Sequence, residues 1–408
     1  MRHLTGQSAR AVTMMMFLVS AVGATPNIYN RYRSFRPQAL KNIYITALTN
    51  RPFRCRTFGA FLRPHVIISP SSMNNQSKKR SLGFLGGLLF CLWWLIARLP
   101  AWWHYLWADI LYLIVRYVVH YRRDIVRKNL AESFPELSDA ERQKIENGFY
   151  HHMCNLIVES IMYFGISKKT IMKRMRFKGA EQLNHSVEQG KSVAIFLGHH
   201  CNWEWISSLP PWISDRCQCL QLYHPLENAT FDKLIGYSRE RMGSVNVPMA
   251  QSIRHIMKYK KDGTPVIVGF IADQVPIWES MNYWLPFFHH DTPVMTGGER
   301  IARKLNMDCY YVRIIRDKRG HYTADIQLIT DDPKSVPEYW ITEQYYERLE
   351  ANIREQPSLW LWTHNRWKRT RAGFIRHLKA ENRFTELANL RFFDHAHPDG
   401  QPASEVKE

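Results

Sequence analysis

Three short apolar runs constrain this chain more than any other feature: residues 192–197 (SVAIFL), 218–223 (QCLQLY) and 265–272 (PVIVGFIA). Each has the length of a strand and little polar alternation, which is the pattern of strands buried on both faces. Helical patterns separate them, near residues 204–209, 228–242 and 251–260. Residues 308–315 and 321–329 read as two more strands around the turn Asp317-Lys318-Arg319-Gly320, and a last helix is expected at about 338–355. Upstream, a basic amphipathic stretch (121–130) precedes the proline break at Pro135. Ser138 then stands three residues before Glu141, the spacing of a capping box, which predicts a helix running to about Phe164. Strands alternating with helices predict an α/β fold, a mixed sheet flanked by helices.

The chain of 408 residues carries 55 Lys and Arg against 36 Asp and Glu, a net charge of +19. Residues 1–80 hold 13 of the basic residues and none of the acidic ones, which leaves +6 for the other 328. The excess therefore sits in a flank rather than on a folded face, which argues against a nucleic-acid partner. The seven cysteines (55, 91, 154, 201, 217, 219 and 309) lack metal-ligand spacing and read as free thiols. Residues 1–72 show no sustained period and are read as a disordered or mis-annotated extension, with Met73 as the expected true start. Residues 73–120 form an expected membrane anchor and interfacial helix. The uncharged stretch 82–97 (LGFLGGLLFCLWWLIA) is bounded by Lys78-Lys79-Arg80 and Arg98. It is short for a span, which needs roughly 20 residues, so one short span and a monotopic segment both fit. Trp102, Trp103, Tyr105 and Trp107 stand where an interfacial aromatic belt would lie. The catalytic body is assigned to 121–375 and a polar tail to 376–408.

The first strand ends in Gly198-His199-His200-Cys201-Asn202-Trp203-Glu204. Asn202 is a candidate helix cap, which places His199 in a loop at the carboxyl end of a strand, where open α/β sheets hold their ligands. On one continuous helix, residues five apart would point about 140° from each other. A loop His ahead of a first-turn Glu removes that objection, so Glu204 is the expected orienting partner of His199. A carboxylate on one imidazole nitrogen fixes the tautomer and leaves the other nitrogen to take a proton from an alcohol. The implied chemistry is acyl transfer to a hydroxyl without a covalent enzyme intermediate. His199, His200 and Cys201 are followed by no second ligand cluster, so no metal is expected.

The same segment resembles the G-H-x-x-N-W-E signature of the lipid A biosynthesis acyltransferases, a lauroyl/myristoyl-type family with a lysophospholipid- or glycerolipid-acyltransferase-like fold. Further elements follow in the family's order: Tyr223-His224-Pro225-Leu226-Glu227-Asn228 with His224 where Arg is usual, Arg239-Glu240-Arg241-Met242-Gly243, Ala272-Asp273-Gln274, Pro286-Phe287-Phe288 with His289 in place of glycine, and Thr296-Gly297 with Ala302. The closing Pro357-Ser358-Leu359-Trp360-Leu361-Trp362-Thr363-His364-Asn365-Arg366-Trp367-Lys368 is similar to P-x-x-W-L-W-x-H-x-R-W-K. The resemblance covers about residues 82–372. It implies a membrane-associated O-acyltransferase that moves a fatty acyl group from acyl carrier protein or acyl-CoA to a hydroxyl of a lipid A precursor, as secondary acylation. It further implies a cell inner membrane location with the catalytic domain on the cytoplasmic side, and contact with membrane lipids. The thioester donor is the co-substrate and no other cofactor is expected. By position, His199 is the general base and Glu204 its partner, while Asn202, Arg239, Arg241, Asp273 and Arg366 are candidate substrate-binding residues.

Two other functions share these residues: a same-fold acyltransferase acting on another glycolipid, lysophospholipid or aminolipid, and an inactive membrane lipid-binding protein. A Ser hydrolase of the commonest form is disfavoured by the lack of G-x-S-x-G.

Overall fold

The computed structural model of the chain describes residues 84–383, 385 and 390–393, except residue 227. The expectations for residues 1–72, for the Met73 start and for Lys78-Lys79-Arg80 lie outside the described residues.

Helix α1 (Phe84–Ala97) and helix α2 (Ala101–Leu113) meet at Pro100, and α2 continues as a π-helical turn over Ile114–Val119. Helices α3 (Arg123–Ser133) and α4 (Asp139–Tyr163) follow. The capping box forms as expected: the Ser138 hydroxyl accepts from the Glu141 N–H and the Glu141 carboxylate accepts from the Ser138 N–H. After α5 (Lys168–Arg174) the sheet begins with β1 (Met175–Lys178), α6 (Ala180–Glu188) and β2 (Val193–Leu197). The chain continues through β3 (Gln218–Tyr223), α7 (Ala229–Glu240), β4 (Val245–Pro248), α8 (Ser252–Lys261) and β5 (Val266–Ile271). A small excursion comprises β6 (Tyr283–Phe287) and β7 (His290–Pro293), and then α9 (Gly297–Leu305) leads to β8 (Asp308–Lys318), β9 (His321–Thr330) and α10 (Trp340–Glu355). Helix α11 (Arg371–Ala380) and β10 (Arg391–Phe392) complete the described elements.

The main sheet has the order β1-β9-β8-β2-β5-β3-β4. Every neighbouring pair in it is parallel except β8 with β9, which form the hairpin expected from the Asp317–Gly320 turn. A second sheet orders β10-β6-β7. The apolar run of β2 is buried throughout because its side chains alternate into two cores. Ala194 and Phe196 join α4, α9 and α10 on one side, whereas Val193, Ile195 and Leu197 join α6 and the Trp203–Trp205 turn on the other. Burying such an aliphatic side chain is worth roughly 1.5–3 kcal/mol, so the two-faced pattern makes β2 and its neighbour β5 the anchor of the fold. Strands β1, β4, β6, β7 and β10 and helices α5, α6, α9 and α11 had no counterpart in the sequence reading, and β8 runs three residues further than expected.

Among the described residues no single helix is long and apolar enough to cross a membrane. Gly86–Ala97 and Ala101–Val119 have the length and composition together, but they are bent by 104°. Both segments keep large apolar side chains on the outside, among them Leu88, Leu92, Leu95, Trp102, Leu106 and Leu113.

Candidate active site

Parallel pairing of β2 with β5 sets Leu197 opposite Ile271. His199 and Asp273 each lie two residues beyond that pair, so the register alone brings them face to face at the carboxyl edge of the sheet. The His199 Nδ1 lies 2.6 Å from Asp273 Oδ1, and the His199 backbone N–H donates to Asp273 Oδ2 at 2.8 Å. Trp360 donates its indole Nε1–H to the same Oδ2 at 2.8 Å. Burial alone would raise the Asp273 pKa. The charge of His199 and the hydrogen bonds from His199 and Trp360 outweigh it and hold the group down at about 2. An ionised Asp273 obliges Nδ1 of His199 to carry the proton and donate it. The other ring nitrogen, Nε2, is then the one with a lone pair, and it lies 3.2 Å from the Gln274 side-chain nitrogen. Trp203 packs edge-on against the imidazole at 5.3 Å.

The loop that presents His199 is clamped from the carboxy-terminal segment. Cys201 N–H donates to Leu359 O at 2.8 Å and Leu361 N–H donates to His199 O at 3.1 Å. This pairing is what carries Trp360 to Asp273. Cys201 is fully buried with φ 57°, a left-handed conformation that costs a non-glycine residue roughly 1–2 kcal/mol, and the clamp holds it there. A side chain at Gly198 would force its neighbours to shift: a Cβ on it would stand 2.5 Å from Leu349 Cδ1 and 3.2 Å from Asp273 Oδ2.

Glu204 stands elsewhere. Its carboxylate takes a forked ion pair from Arg239 of α7, at 2.9 Å from Nη2 to Oε1 and 3.2 Å from Nε to Oε2. The carboxylate on His199 is thus Asp273 and not the expected Glu204. The reason is local: in the 3-10 turn Trp203–Ser208 it is Trp203 that packs against the His199 ring, while the next residue, Glu204, turns its carboxylate to Arg239 of α7. Asn202 does cap that turn, its side chain accepting from Trp205 N–H at 3.1 Å, and it is buried. Its amide donates to the buried carboxylate of Glu159 at 2.7 Å. Glu159 also accepts from Tyr105 and Tyr322, and burial raises its pKa to about 7. Arg241 donates from Nη1 to the carbonyls of Tyr163 and Ile166. Arg366 is fully buried and donates to Pro293 O and the Tyr346 hydroxyl. Among the three arginines, Arg239 faces the segment that follows His199.

Reasoning from sequence missed two site neighbours and left a third, His364, open between bracing a closing turn, touching lipid headgroups and doing chemistry. Trp360 and Gln274 fell inside quoted motifs without being given a role. His364, whose pKa burial and the charge of Arg366 push down to about 3, accepts from Val275 N–H at 3.1 Å and pins the strand end behind Asp273. His200, lowered to about 4 by burial, turns inward between Gln356 and Asn352. Among the described residues no group of three or more His, Cys, Asp or Glu is placed to hold a metal ion.

A parallel-rich α/β sheet with a His–Asp pair at its carboxyl edge defines a class of proteins suited to proton abstraction from a hydroxyl. Comparison narrows it: residues 77–369 match the family model described as bacterial lipid A biosynthesis acyltransferase, and the chain belongs to that family. It is 23% identical over 256 residues to the lipid A biosynthesis palmitoleoyltransferase of Escherichia coli (strain K12), covering 62% of this chain and 80% of that one. It is 21% identical over 252 residues to a lipid A biosynthesis acyltransferase of Haemophilus influenzae, covering 59% and 74%.

Proposed function

We propose that the chain transfers a fatty acyl group from a thioester, carried by acyl carrier protein or coenzyme A, to a hydroxyl of a lipid A precursor, with His199 as general base and Asp273 as its orienting partner. The observation that carries this reading is the His199–Asp273 pair with the Nε2 lone pair directed away from the carboxylate. His199 Nε2 takes the proton of the acceptor hydroxyl as its oxygen attacks the thioester carbonyl carbon. The ionised Asp273 stabilises the resulting imidazolium. Collapse of the tetrahedral species breaks the C–S bond, and the departing thiolate recovers the proton from Nε2–H, giving an ester and a free thiol. The Gln274 amide beside Nε2 marks where the acceptor hydroxyl would sit. Arg239, with 21% of its side chain exposed, offers a permanent cation for a phosphate of the acceptor. The membrane reading rests on the apolar outer face of α1 and α2, which suits a helix pair lying in the interface. An inner-membrane site with the catalytic domain on the cytoplasmic side completes the proposal.

The test is transfer by the purified chain from an acyl thioester to a lipid A precursor, followed by thiol release and by the mass of the lipid product. One added acyl chain and one thiol per turnover are expected from wild type. Thiol release with no acylated product, or neither, would overturn the proposal.

A further inference from the structure

Helix α8 follows directly on the carboxyl end of β4, on the same edge of the sheet as His199. One side of it is anchored by buried Ser252 and Ile256. Ile253 and Met257, one turn apart and therefore on one face, are 48% and 46% exposed, and Met249 just before the helix is 45% exposed. Arg254, Lys258 and Lys261 are exposed beside that apolar pair. Among the described residues none of the three cations is paired with a carboxylate, and residues 249–261 contain no acidic side chain. Lys260 reaches back to Leu305 O at 3.4 Å.

We infer that α8 is an anionic-lipid contact, with Ile253 and Met257 entering the interface and Arg254, Lys258 and Lys261 meeting headgroup phosphates. An apolar stripe bordered by unpaired cations is what an interfacial helix presents to an anionic bilayer. The contact is separate from α1 and α2, and it turns the edge that bears His199 toward the surface from which an amphiphilic acceptor would come. The inference rests on the membrane-associated reading above and adds a second, charge-dependent surface to it.

The test is flotation of the full chain with vesicles of phosphatidylglycerol in phosphatidylethanolamine, and with phosphatidylcholine vesicles, at low and high salt. Neutralising three cations near an anionic surface is worth roughly a hundredfold in binding. Arg254→Gln/Lys258→Gln/Lys261→Gln should therefore lose about a hundredfold on anionic vesicles, leave binding to phosphatidylcholine unchanged, and keep the wild-type melting temperature. Ile253→Ser/Met257→Ser should weaken binding to both vesicles. Wild-type binding by the triple variant would overturn the inference, as would a variant impaired only toward an acidic carrier protein. A wild-type chain that binds both vesicles equally, without salt dependence, would remove α8 while leaving the α1–α2 contact standing. A chain that binds neither vesicle would remove both, and loss of vesicle binding in Trp102→Ser/Leu106→Ser identifies the first contact independently.

Discussion

Asp273→Asn tests the proposed proton path at a single atom. In wild type, Oδ2 of Asp273 receives two N–H donors, the His199 backbone and the Trp360 indole, both at 2.8 Å. Only an oxygen can satisfy them, so the asparagine carbonyl must occupy that position. The amide NH2 is then forced into the place of Oδ1, which lies 2.6 Å from His199 Nδ1. Nδ1 becomes an acceptor, the ring proton moves to Nε2, and the lone pair needed to take the hydroxyl proton is gone. A wrong tautomer of this kind costs about 10³–10⁴ in kcat, or roughly 4–5.5 kcal/mol of activation free energy. KM should change little, because the change does not enlarge the site. The assay is initial-rate acyl transfer with wild type and Asp273→Asn, with melting temperatures alongside to confirm the fold. A variant within tenfold of wild type would refute the tautomer argument and the role of Asp273 with it.

Glu204 and Arg239 should behave as a coupled pair. Each single change, Glu204→Gln or Arg239→Gln, should destabilise by about 1–3 kcal/mol, with the double variant costing less than the sum, whereas Glu204→Gln combined with His199→Ala should be additive in unfolding measurements. Coupling to His199 instead would restore Glu204 as the orienting partner. Glu159 predicts a pH effect of opposite sign to an ordinary surface carboxylate. Its folded pKa is raised to about 7 from 4.5 by burial, so the folded state holds the proton longer. Its contribution is present below pH 4.5 and is lost as pH rises through 7, by roughly 3 kcal/mol. Equilibrium unfolding of wild type minus Glu159→Gln across pH 5–8 measures this, and a flat difference would contradict it.

The strands and caps that position the site were largely legible. SVAIFL and PVIVGFIA read as two-faced strands because their side chains feed two cores, and the Ser138–Glu141 box and the Asn202 cap formed as spaced. The carboxylate partner of His199 was not legible, since it depends on which strands are neighbours and in what register. Leu197 opposite Ile271 is a property of the sheet, and nothing local to Gly198–Glu204 encodes it. Glu204 drew the assignment by proximity in sequence, while its actual partner, Arg239, comes from the helix of the next crossover, between β3 and β4. Arg241 and Arg366 look like phosphate ligands by residue type, and only packing reveals that Arg241 Nη1 and Arg366 Nη2 donate to oxygens of the fold itself. Strands as short as β1 and β4, four residues each, leave too little periodicity to detect.

The central claim is tested most directly by mass spectrometry of the lipid A fraction from cells lacking this chain, beside cells supplied with wild type or with His199→Ala. The account predicts that one acyl mass is missing from lipid A without the chain, returns with wild type, and stays missing with a His199→Ala protein present at wild-type level. Unchanged lipid A in all three, or full restoration by His199→Ala, would contradict it.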